Sequence, residues 1–390
     1  MPDNELESIL IKQHNGKANY IKKKEKPKKV VREVKTVTAR TILIVCTALV
    51  LIISGLLGGV LIIEFGPSEK ARDLFVVTVM ETSAAKFLAT TFLGQDKVDE
   101  ILAANAMKAS ENITDTNLVN IGGNKTSENK EPADSSSDIT KKTIPGSDGQ
   151  EVDPDGDGID IVDVTGGSFR GKMMIVYDPT RVFVGISGKF GPEEYGKTIT
   201  DIYNSYDNVV AGINGGGWDD REGHGTGGEP YGIVMSEGQV LWGTPMSTSW
   251  ECCGITKEGK LIVGTFSIQQ AVDMGVTDAA KYGPTLIVNN EPTESLGTGG
   301  GLNPRTAIGQ RADGAMLLLT IDGRQSNSLG ASLTDVQDVM LKFEAVNAYN
   351  LDGGSSTSMI FNGEHINSNA SLVGLRKMCT TFLVRGNDNG

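Results

Sequence analysis

The sequence predicts an α+β fold, in which a mixed β-sheet with flanking helices follows a transmembrane helix and a helical stalk. Three observations lead to this prediction. A charge-free apolar run lies near the N-terminus, and a stretch rich in Ala, Thr, Val and Leu follows it. The C-terminal part then alternates short apolar runs with turns of Gly, Asp and Asn, as strands do. A chain of 390 residues is long enough to bury a large core.

The apolar run extends from Thr41 to Ile63, close to the roughly 20 residues that a bilayer-spanning helix needs. Residues 1–40 carry eleven Lys or Arg against five Asp or Glu, although the whole chain has a net charge of −13. The positive-inside rule therefore places residues 1–40 in the cytoplasm and everything after Glu64 outside a plasma membrane. The run is too long for a signal-peptide core.

Two segments separate this anchor from the globular part. Residues 64–110 are predicted to form a helical stalk, with helices over Ser68–Leu93 and Asp96–Lys108. Residues 111–157 are predicted to be a disordered linker, because Asn, Ser, Asp, Lys, Thr and Gly replace the apolar residues there.

The linker contains Asp153-Pro-Asp155-Gly-Asp157-Gly, which resembles the first half of a calcium loop. The twelfth position, which should supply a bidentate carboxylate, is Val164 instead. A hinge is the more ordinary interpretation, so calcium is a possible cofactor and no other one is indicated.

Residues 158–390 form the predicted globular domain. The acidic charge outside the membrane argues against a nucleic-acid partner, because phosphate neutralisation needs a basic face. Three cysteines lie in this domain, Cys252, Cys253 and Cys379, and an odd number does not make a disulfide framework. Whether Cys379 pairs with either of the other two is left open.

Three predicted strands end in turns that carry polar groups. Val209–Ile213 runs into Asn214-Gly-Gly-Gly-Trp218, Ala315–Ile321 ends at Asp322, and a strand ending at Leu351 is followed by Asp352. Ser332 and Asp335 resemble a capping box for a helix over Leu333–Phe343. A helical crossover of this length allows the strands before Asp322 and Asp352 to be parallel, which would place both carboxylates at one edge of the sheet.

The turn after Asp352 contains Gly353, Gly354, Ser355 and Ser356. Glycines allow a close approach of the backbone to a ligand, and successive N–H groups can converge on an anion. A carboxylate beside such a turn suits a site that holds a negative group and also stabilises a developing cation.

Four segments in this order, NGGGW, NPRTAIGQ, TIDGRQ and NLDGGSST, resemble the phosphodiester glycosidase family over about residues 165–386. The resemblance implies a mixed α/β domain that hydrolyses a sugar-1-phosphodiester. By motif it implies a site made of Asn214, Gly215, Gly216, Arg305, Thr306, Asp322, Arg324, Asn350, Asp352, Gly353 and Gly354. Many relatives have an aromatic pair after Asn-Gly-Gly, whereas Gly217-Trp218 stands here, so the shape of the sugar pocket differs.

The chemistry of these residue types suggests roles. A planar guanidinium fits phosphate oxygens, which favours Arg305 as the phosphate ligand and Arg324 as the second choice; alternatively, Arg305 pairs with Asp322 and only joins two loops. Glycosidases generally use two carboxylates. Asp352 is the candidate nucleophile or base at the anomeric carbon, and Asp322 the candidate for orientation or metal binding.

Other residues receive weaker expectations. Asn214 and Asn350 either hold sugar hydroxyls or only satisfy the hydrogen bonds of a turn, and Ser355 lies in the substrate-binding turn. Trp218 is either a sugar platform or a core residue. A Ser355 or Ser356 nucleophile is disfavoured because no Gly-x-Ser-x-Gly elbow is present. His224 is expected to be solvated.

The predicted function is that of a membrane-anchored extracytoplasmic hydrolase, which cleaves a sugar-1-phosphodiester in a cell-envelope or exopolysaccharide glycan. The alternative is a non-catalytic protein that binds or scaffolds anionic cell-wall glycans. Two strand-end carboxylates beside an arginine favour the enzyme, because binding alone does not require them.

Overall fold

A computed structural model describes residues 28–82, 85–121, 142–220, 225–243, 245–371 and 374–387. The chain divides into two compact units, Met1–Val60 and Leu61–Gly390, which are described separately. Most of the predicted basic tail, residues 1–27, and the histidine at position 224 lie outside the described residues.

The first helix, α1, spans Lys28–Phe65. Its section Ala39–Phe65 has 27 residues, a mean hydropathy of 2.6 and no buried residue in its most apolar window. Length and composition therefore agree with a membrane-spanning segment, and a signal sequence would satisfy the same criteria.

Six further helices follow within the described residues. They are α2 (Glu69–Met80), α3 (Phe87–Leu93), α4 (Gln95–Ala104), α5 (Ile199–Tyr203), α6 (Ile268–Asp273) and α7 (Leu333–Lys342). Ser68 caps α2 by accepting a hydrogen bond from the N–H of Ala71, as its position predicts. The single helix expected over Ser68–Leu93 is divided into α2 and α3, and α2, α3 and α4 share a small apolar core.

The segment after α4 is fastened to the domain by hydrogen bonds. Asn105 Oδ1 accepts from the N–H of Thr298 at 2.8 Å, and Lys260 Nζ donates to the carbonyl of Thr116 at 2.7 Å. Of the predicted linker, residues 111–121 and 142–157 are described, and both parts contact the domain. The domain boundaries themselves stay a prediction.

The strands form three antiparallel sheets. The seven-stranded sheet has the order β1 (Ile159–Thr165), β2 (Arg170–Val176), β13 (Met316–Ile321), β12 (Arg305–Arg311), β14 (Ala345–Leu351), β10 (Thr285–Val288) and β11 (Glu291–Pro292). The second has the order β16 (Glu364–His365), β15 (Met359–Phe361), β4 (Val209–Asn214), β17 (Thr380–Arg385) and β3 (Val182–Ile186). The third has the order β6 (Gln239–Trp242), β5 (Val234–Ser236), β9 (Val276–Ala280), β7 (Ser249–Thr256) and β8 (Leu261–Ser267).

Residues of all three sheets share one apolar core, and α7 covers the other face of the seven-stranded sheet. Ser332 and Asp335 form the predicted capping box at the start of α7. The predicted combination of helices and sheets is confirmed. Among the strands, β4 and β13 lie within one residue of the bounds expected from Val209–Ile213 and Ala315–Ile321, whereas β1, β9, β12 and β17 were not predicted from the sequence.

Strand β12 decides how the site is assembled. It pairs with β13 on one side and with β14 on the other, antiparallel to both, so β13 and β14 run in the same direction without being neighbours. Arg305 was expected on a loop, but it is the first residue of β12, opposite Ile321 and adjacent in register to the pair Thr306–Leu351. The start of β12 therefore lies between the ends of β13 and β14.

Candidate active site

A cavity of about 470 Å³ opens at this edge of the sheet. Its charged side chains are three arginines, Arg305, Arg324 and Arg376, and three acids. The remaining lining consists of polar and aromatic residues, three glycines, and the apolar residues Pro284 and Leu333. The full lining is Glu81, Trp218, Asp220, Tyr231, Tyr282, Gly283, Pro284, Asn303, Arg305, Arg324, Leu333, Asn350, Asp352, Gly353, Gly354, Ser355, Ser356 and Arg376.

Asp352 directly follows the last residue of β14 and lines the cavity. Its backbone N–H donates to the carbonyl of Gly215 at 3.1 Å, and its carbonyl accepts from Asn214 Nδ2 at 2.5 Å. Burial raises the pKa of Asp352 to about 6, although the Ser356 hydroxyl and the Arg376 cation act in the opposite direction. A carboxyl with such a pKa changes charge near neutral pH, as general bases and nucleophiles often do.

Asn214 stabilises the site from the interior of the domain. It is buried and does not line the cavity; its Oδ1 accepts from Thr306 Oγ1 at 2.8 Å and from the N–H of Ser358 at 3.0 Å. Together with the bond to Asp352, these contacts join β4, β12 and the turn after β14. Asn214 was expected to face the substrate. In the structure, its side-chain amide instead forms hydrogen bonds with other residues of the domain.

Three other predicted binding residues are also beneath the surface of the cavity: Gly215, Gly216 and Thr306. Gly215 donates its N–H to the carbonyl of Thr380 at 3.0 Å, and a Cβ at Gly215 would lie 2.7 Å from Thr380 Oγ1. The Asn-Gly-Gly turn is thus required by close packing of two backbones.

Arg305 is buried, and its guanidinium is bonded to other residues of the protein. Its Nε donates to the carbonyl of Ala331 at 3.0 Å, and its Nη2 donates to the carbonyl of Gly301 at 2.6 Å. The same Nη2 forms an ion pair with Glu81 Oε2 at 2.7 Å. Its carboxylate partner is therefore Glu81, and the alternative pairing with Asp322 does not occur.

Arg324 has the more accessible guanidinium. It is exposed, lies in the left-handed region with φ of 58°, and donates to Asn303 Oδ1 from Nη2 at 2.9 Å. It has no carboxylate partner among the described residues. Partial burial and the neighbouring Arg305 cation lower the pKa of Arg324, yet a guanidinium remains charged. A strained, exposed arginine beside Gly354 is well placed to bind an anion.

Arg376 and Asp220, which both line the cavity, form an ion pair with each other. The Arg376 guanidinium also covers the Trp218 ring at 5.0 Å from its centroid. Trp218 is only 5% exposed and packs in the core of the second sheet, so it resembles a core residue more than a sugar platform. Two tyrosines of the lining, Tyr231 and Tyr282, are 43% and 38% exposed.

Gly217 explains how these tyrosines reach the cavity. A Cβ at Gly217 would lie 2.4 Å from Tyr282 Cδ2 and 3.0 Å from Tyr231 Cδ2. Glycine at this position therefore leaves room for aromatic rings that come from other loops. Exposed aromatic rings beside polar groups are the usual surface on which sugar rings stack.

Asn350 has an incomplete set of hydrogen bonds. Its Nδ2 donates to the carbonyl of Gly283 at 2.7 Å, while its buried Oδ1 has no partner among the described residues. Asn350 lines the cavity, but its unpaired Oδ1 is shielded from solvent. Gly353, Gly354 and Ser355 also line the cavity, as predicted.

Asp322 does not line this cavity, although it leaves the sheet at the same edge. Its Oδ1 accepts from the N–H of Ser368 at 2.9 Å and from Asn367 Nδ2 at 3.3 Å. Burial raises the pKa of Asp322. The Asp322 carboxylate thus holds the loop after β16. Asp322 was expected to share a pocket with Asp352, but it does not, because its side chain points to that loop.

The remaining candidates lie elsewhere. His365 Nε2 is 2.9 Å from Thr200 Oγ1, outside the lining of the cavity, and cannot activate the serines there. All four cysteines are free thiols, so Cys379 pairs with neither of the others. Carboxylate oxygens of Asp153, Asp155 and Asp157 lie within 4.8 Å of one another, a spacing that could hold a cation, but they do not line the cavity.

Sequence reasoning missed several lining residues: Glu81, Asp220, Tyr231, Tyr282, Asn303 and Arg376. Asn303 and Asp220 stand beside recognised motifs and could have been found there. Glu81 and Arg376 lie far from those motifs along the chain, so only the tertiary fold reveals them.

Comparisons with known proteins agree with the motifs. Residues 207–385 match the model of the phosphodiester glycosidase family. A Bacillus subtilis (strain 168) protein named SPbeta prophage-derived uncharacterized protein YomE is 28% identical over 200 residues, which cover 49% of this chain and 29% of that protein. The Bos taurus N-acetylglucosamine-1-phosphodiester alpha-N-acetylglucosaminidase is 31% identical over 128 residues, which cover 28% of this chain and 24% of that enzyme.

Both matches therefore span less than a third of the relatives' own length. Among solved structures, the zebrafish N-acetylglucosamine-1-phosphodiester alpha-N-acetylglucosaminidase catalytic domain, auto-inhibited by its pro-peptide, is similar with a TM-score of 0.49 and 22% identity. That similarity covers 58% of this chain and 82% of the zebrafish chain. The resemblance expected from the four motifs is confirmed by the match of residues 207–385 to the family model.

Proposed function

We propose that the protein is a membrane-anchored hydrolase that cleaves the bond between the anomeric carbon of a sugar and a phosphodiester group. The observation that supports this most directly is one cavity in which Asp352, with a pKa near 6, lies together with the exposed Arg324 guanidinium. A glycan of the cell envelope or an exopolysaccharide is the proposed source of the substrate.

The reaction needs few groups. The bond between the sugar and the phosphate oxygen breaks with its electron pair on oxygen, and the leaving phosphate ester requires little or no proton donation. Arg324 is our candidate for binding its oxygens, because a planar guanidinium matches phosphate geometry. The Asp352 carboxylate stabilises the oxocarbenium-like anomeric centre, either as nucleophile or as base for the attacking water.

The sugar contacts follow from the remaining lining. Tyr231 and Tyr282 offer exposed rings for stacking on the apolar face of a sugar. Asn350, which lines the cavity and has an unpaired side-chain oxygen, is our candidate for holding a sugar hydroxyl. Asn214 acts on substrate only indirectly, by holding the backbone of Asp352.

The activity is tested with purified full-length protein in detergent and methyl phosphodiesters of α-glucose-1-phosphate and α-N-acetylglucosamine-1-phosphate. We expect release of free sugar and methyl phosphate, without cleavage of the matching methyl glycosides, which lack phosphate. In water enriched in ¹⁸O, methyl phosphate should contain no label, because the C–O bond breaks. Label in the phosphate would indicate phosphodiesterase chemistry, and binding without any cleavage would favour the non-catalytic scaffold.

The proposed topology has the N-terminus in the cytoplasm and the domain outside, because the basic flank precedes the apolar helix. We expect protease added to intact cells to digest the domain while a tag fused at residue 1 stays protected. A cytoplasmic protein of the same cells serves as the control for lysis. Protection of the domain in intact cells, with digestion after lysis, would contradict this orientation.

A further inference from the structure

The loop after α2 brings Glu81 into the cavity, although this residue precedes the sequence motifs by more than a hundred positions. The approach is fixed by backbone contacts. Thr78 Oγ1 accepts from the N–H of Leu302 at 3.0 Å, and a Cβ at Gly301 would lie 2.4 Å from Thr78 Cα. Since two backbones meet so closely, the end of α2 forms a wall of the cavity.

Three donors converge on the Glu81 carboxylate. The N–H of Gly301 donates to Oε1 at 3.0 Å, Asn303 Nδ2 donates to Oε2 at 2.9 Å, and Arg305 Nη2 contacts Oε2 at 2.7 Å. Charge-assisted hydrogen bonds of this kind are the stronger ones in proteins. Glu81 therefore neutralises the buried Arg305 cation and leaves Arg324 as the guanidinium without a carboxylate partner among the described residues.

The contact with Asn303 extends this effect to Arg324. An amide has a donor end and an acceptor end, and Glu81 accepts from the donor end of Asn303. The acceptor Oδ1 is thereby turned to Arg324, which donates to it from Nη2 at 2.9 Å. The opposite amide orientation would set the Asn303 NH₂ against the Arg324 guanidinium, donor against donor.

We propose that Glu81 is a positioning residue of the substrate site, which acts through the Asn303 amide to hold Arg324 where it binds the phosphate group. The helices before the family domain are then part of the binding site and do more than space it from the membrane. This inference rests on the proposed function for the identity of the anion, a phosphate ester.

Glu81→Gln tests the proposal, because the three donors need acceptors at both oxygen positions and a glutamine supplies a donor at one of them. We expect the affinity for methyl phosphate, measured by calorimetry on the full-length protein in detergent, to fall by about tenfold or more. In turnover, KM should rise by a similar factor while kcat changes less than about threefold, since Glu81 does not touch the anomeric carbon. The matched control is Glu69→Gln, an exposed glutamate of the same helix.

A double-mutant cycle separates positioning from general damage. If Glu81 acts through Asn303, then Asn303→Ala should weaken methyl phosphate binding by itself, and Glu81→Gln combined with Asn303→Ala should lose little more. Should Glu81→Gln fail to fold, the single variant Asn303→Ala decides. Unchanged or tighter methyl phosphate binding in Glu81→Gln would overturn the proposal, and the same result in Asn303→Ala would do so where Glu81→Gln does not fold. Losses of affinity that multiply fully in the double variant would also overturn it.

The two proposals can fail separately. If the wild-type protein binds methyl phosphate and the Glu81→Gln variant does not, but no sugar is released from any diester, then the positioning role stands and the hydrolase proposal falls. If sugar is released normally by Glu81→Gln at low substrate concentration, then the hydrolase proposal stands and the role of Glu81 falls.

Discussion

Replacing Asp352 by asparagine should lower kcat by on the order of a hundredfold or more, because the amide keeps the size of the side chain and removes the charge that stabilises an oxocarbenium-like state. The measurement is release of free sugar from a methyl sugar-1-phosphodiester. The matched control is Asp322→Asn, whose carboxylate leaves the same edge of the sheet but fixes the loop at Asn367 and Ser368. Near-normal turnover in Asp352→Asn would exclude the proposed role.

The raised pKa of Asp352 adds a pH dependence with a definite sign. The carboxylate form is the reactive one, so kcat/KM should fall as pH drops below about 6. Because the Arg376 cation lowers the pKa of Asp352, Arg376→Ala should move this limb to higher pH. A profile that instead loses activity above pH 6 would show that the protonated form is the one required.

The same shift predicts the effect of Asp352→Asn on stability. The pKa of Asp352 in the folded protein, about 6, lies above its unfolded value of about 3.8, so the fold favours the protonated carboxyl. Ionisation of this group therefore destabilises the folded protein as pH rises from 3.8 through 6. Asp352→Asn should therefore raise Tm at pH 8, and the gain should shrink as pH falls towards 4. Lower stability at pH 8 would mean that the carboxylate holds the turn together.

The second large effect is expected at Arg324. Arg324→Lys keeps the positive charge and loses the planar fork, so KM for the diester should rise by about tenfold or more with the fold intact. Arg305→Lys is the matched comparison, because the two arginines line one cavity and differ in burial. For Arg305→Lys we expect a lower Tm, since bonds to the carbonyls of Ala331 and Gly301 are lost, with turnover per folded molecule within about threefold of normal.

The reverse result would be a large rise in KM for Arg305→Lys and a mainly structural effect for Arg324→Lys. It would indicate that Arg305, the first choice from the sequence, binds the phosphate. Both variants should be measured with methyl phosphate as a competitive inhibitor as well. Weaker inhibition in Arg324→Lys alone would place the phosphate at that guanidinium independently of turnover.

The local sequence was sufficient for the features that depend on neighbouring residues. Periodicity and capping predicted α7 with its Ser332–Asp335 box, and the apolar run Ala315–Ile321 predicted β13. In the structure, residues of the turns after β13 and β14 line one cavity, namely Arg324, Asp352 and Gly353 to Ser355. These predictions succeed because a strand end and the turn after it are specified within a few residues.

The sequence was less informative about which side chains face the substrate. Asp322, Asn214 and Asp352 all follow strands, yet only Asp352 lines the cavity; Asp322 turns to a loop and Asn214 is buried. Their side-chain directions depend on partners that are distant in the chain. Arg305 and Arg324 likewise cannot be ranked until the position of Glu81 is known.

By itself, the sequence determined the apolar helix near the N-terminus, the combination of helices and sheets, the family resemblance and the presence of a carboxylate, Asp352, directly after β14. The tertiary structure decided that β12 lies between β13 and β14, that Arg305 is paired with Glu81, and that tyrosines from other loops complete the cavity. The physical reason is that hydrogen bonding and burial within a strand, helix or turn are local, whereas charge pairing and cavity shape depend on residues that are distant along the chain.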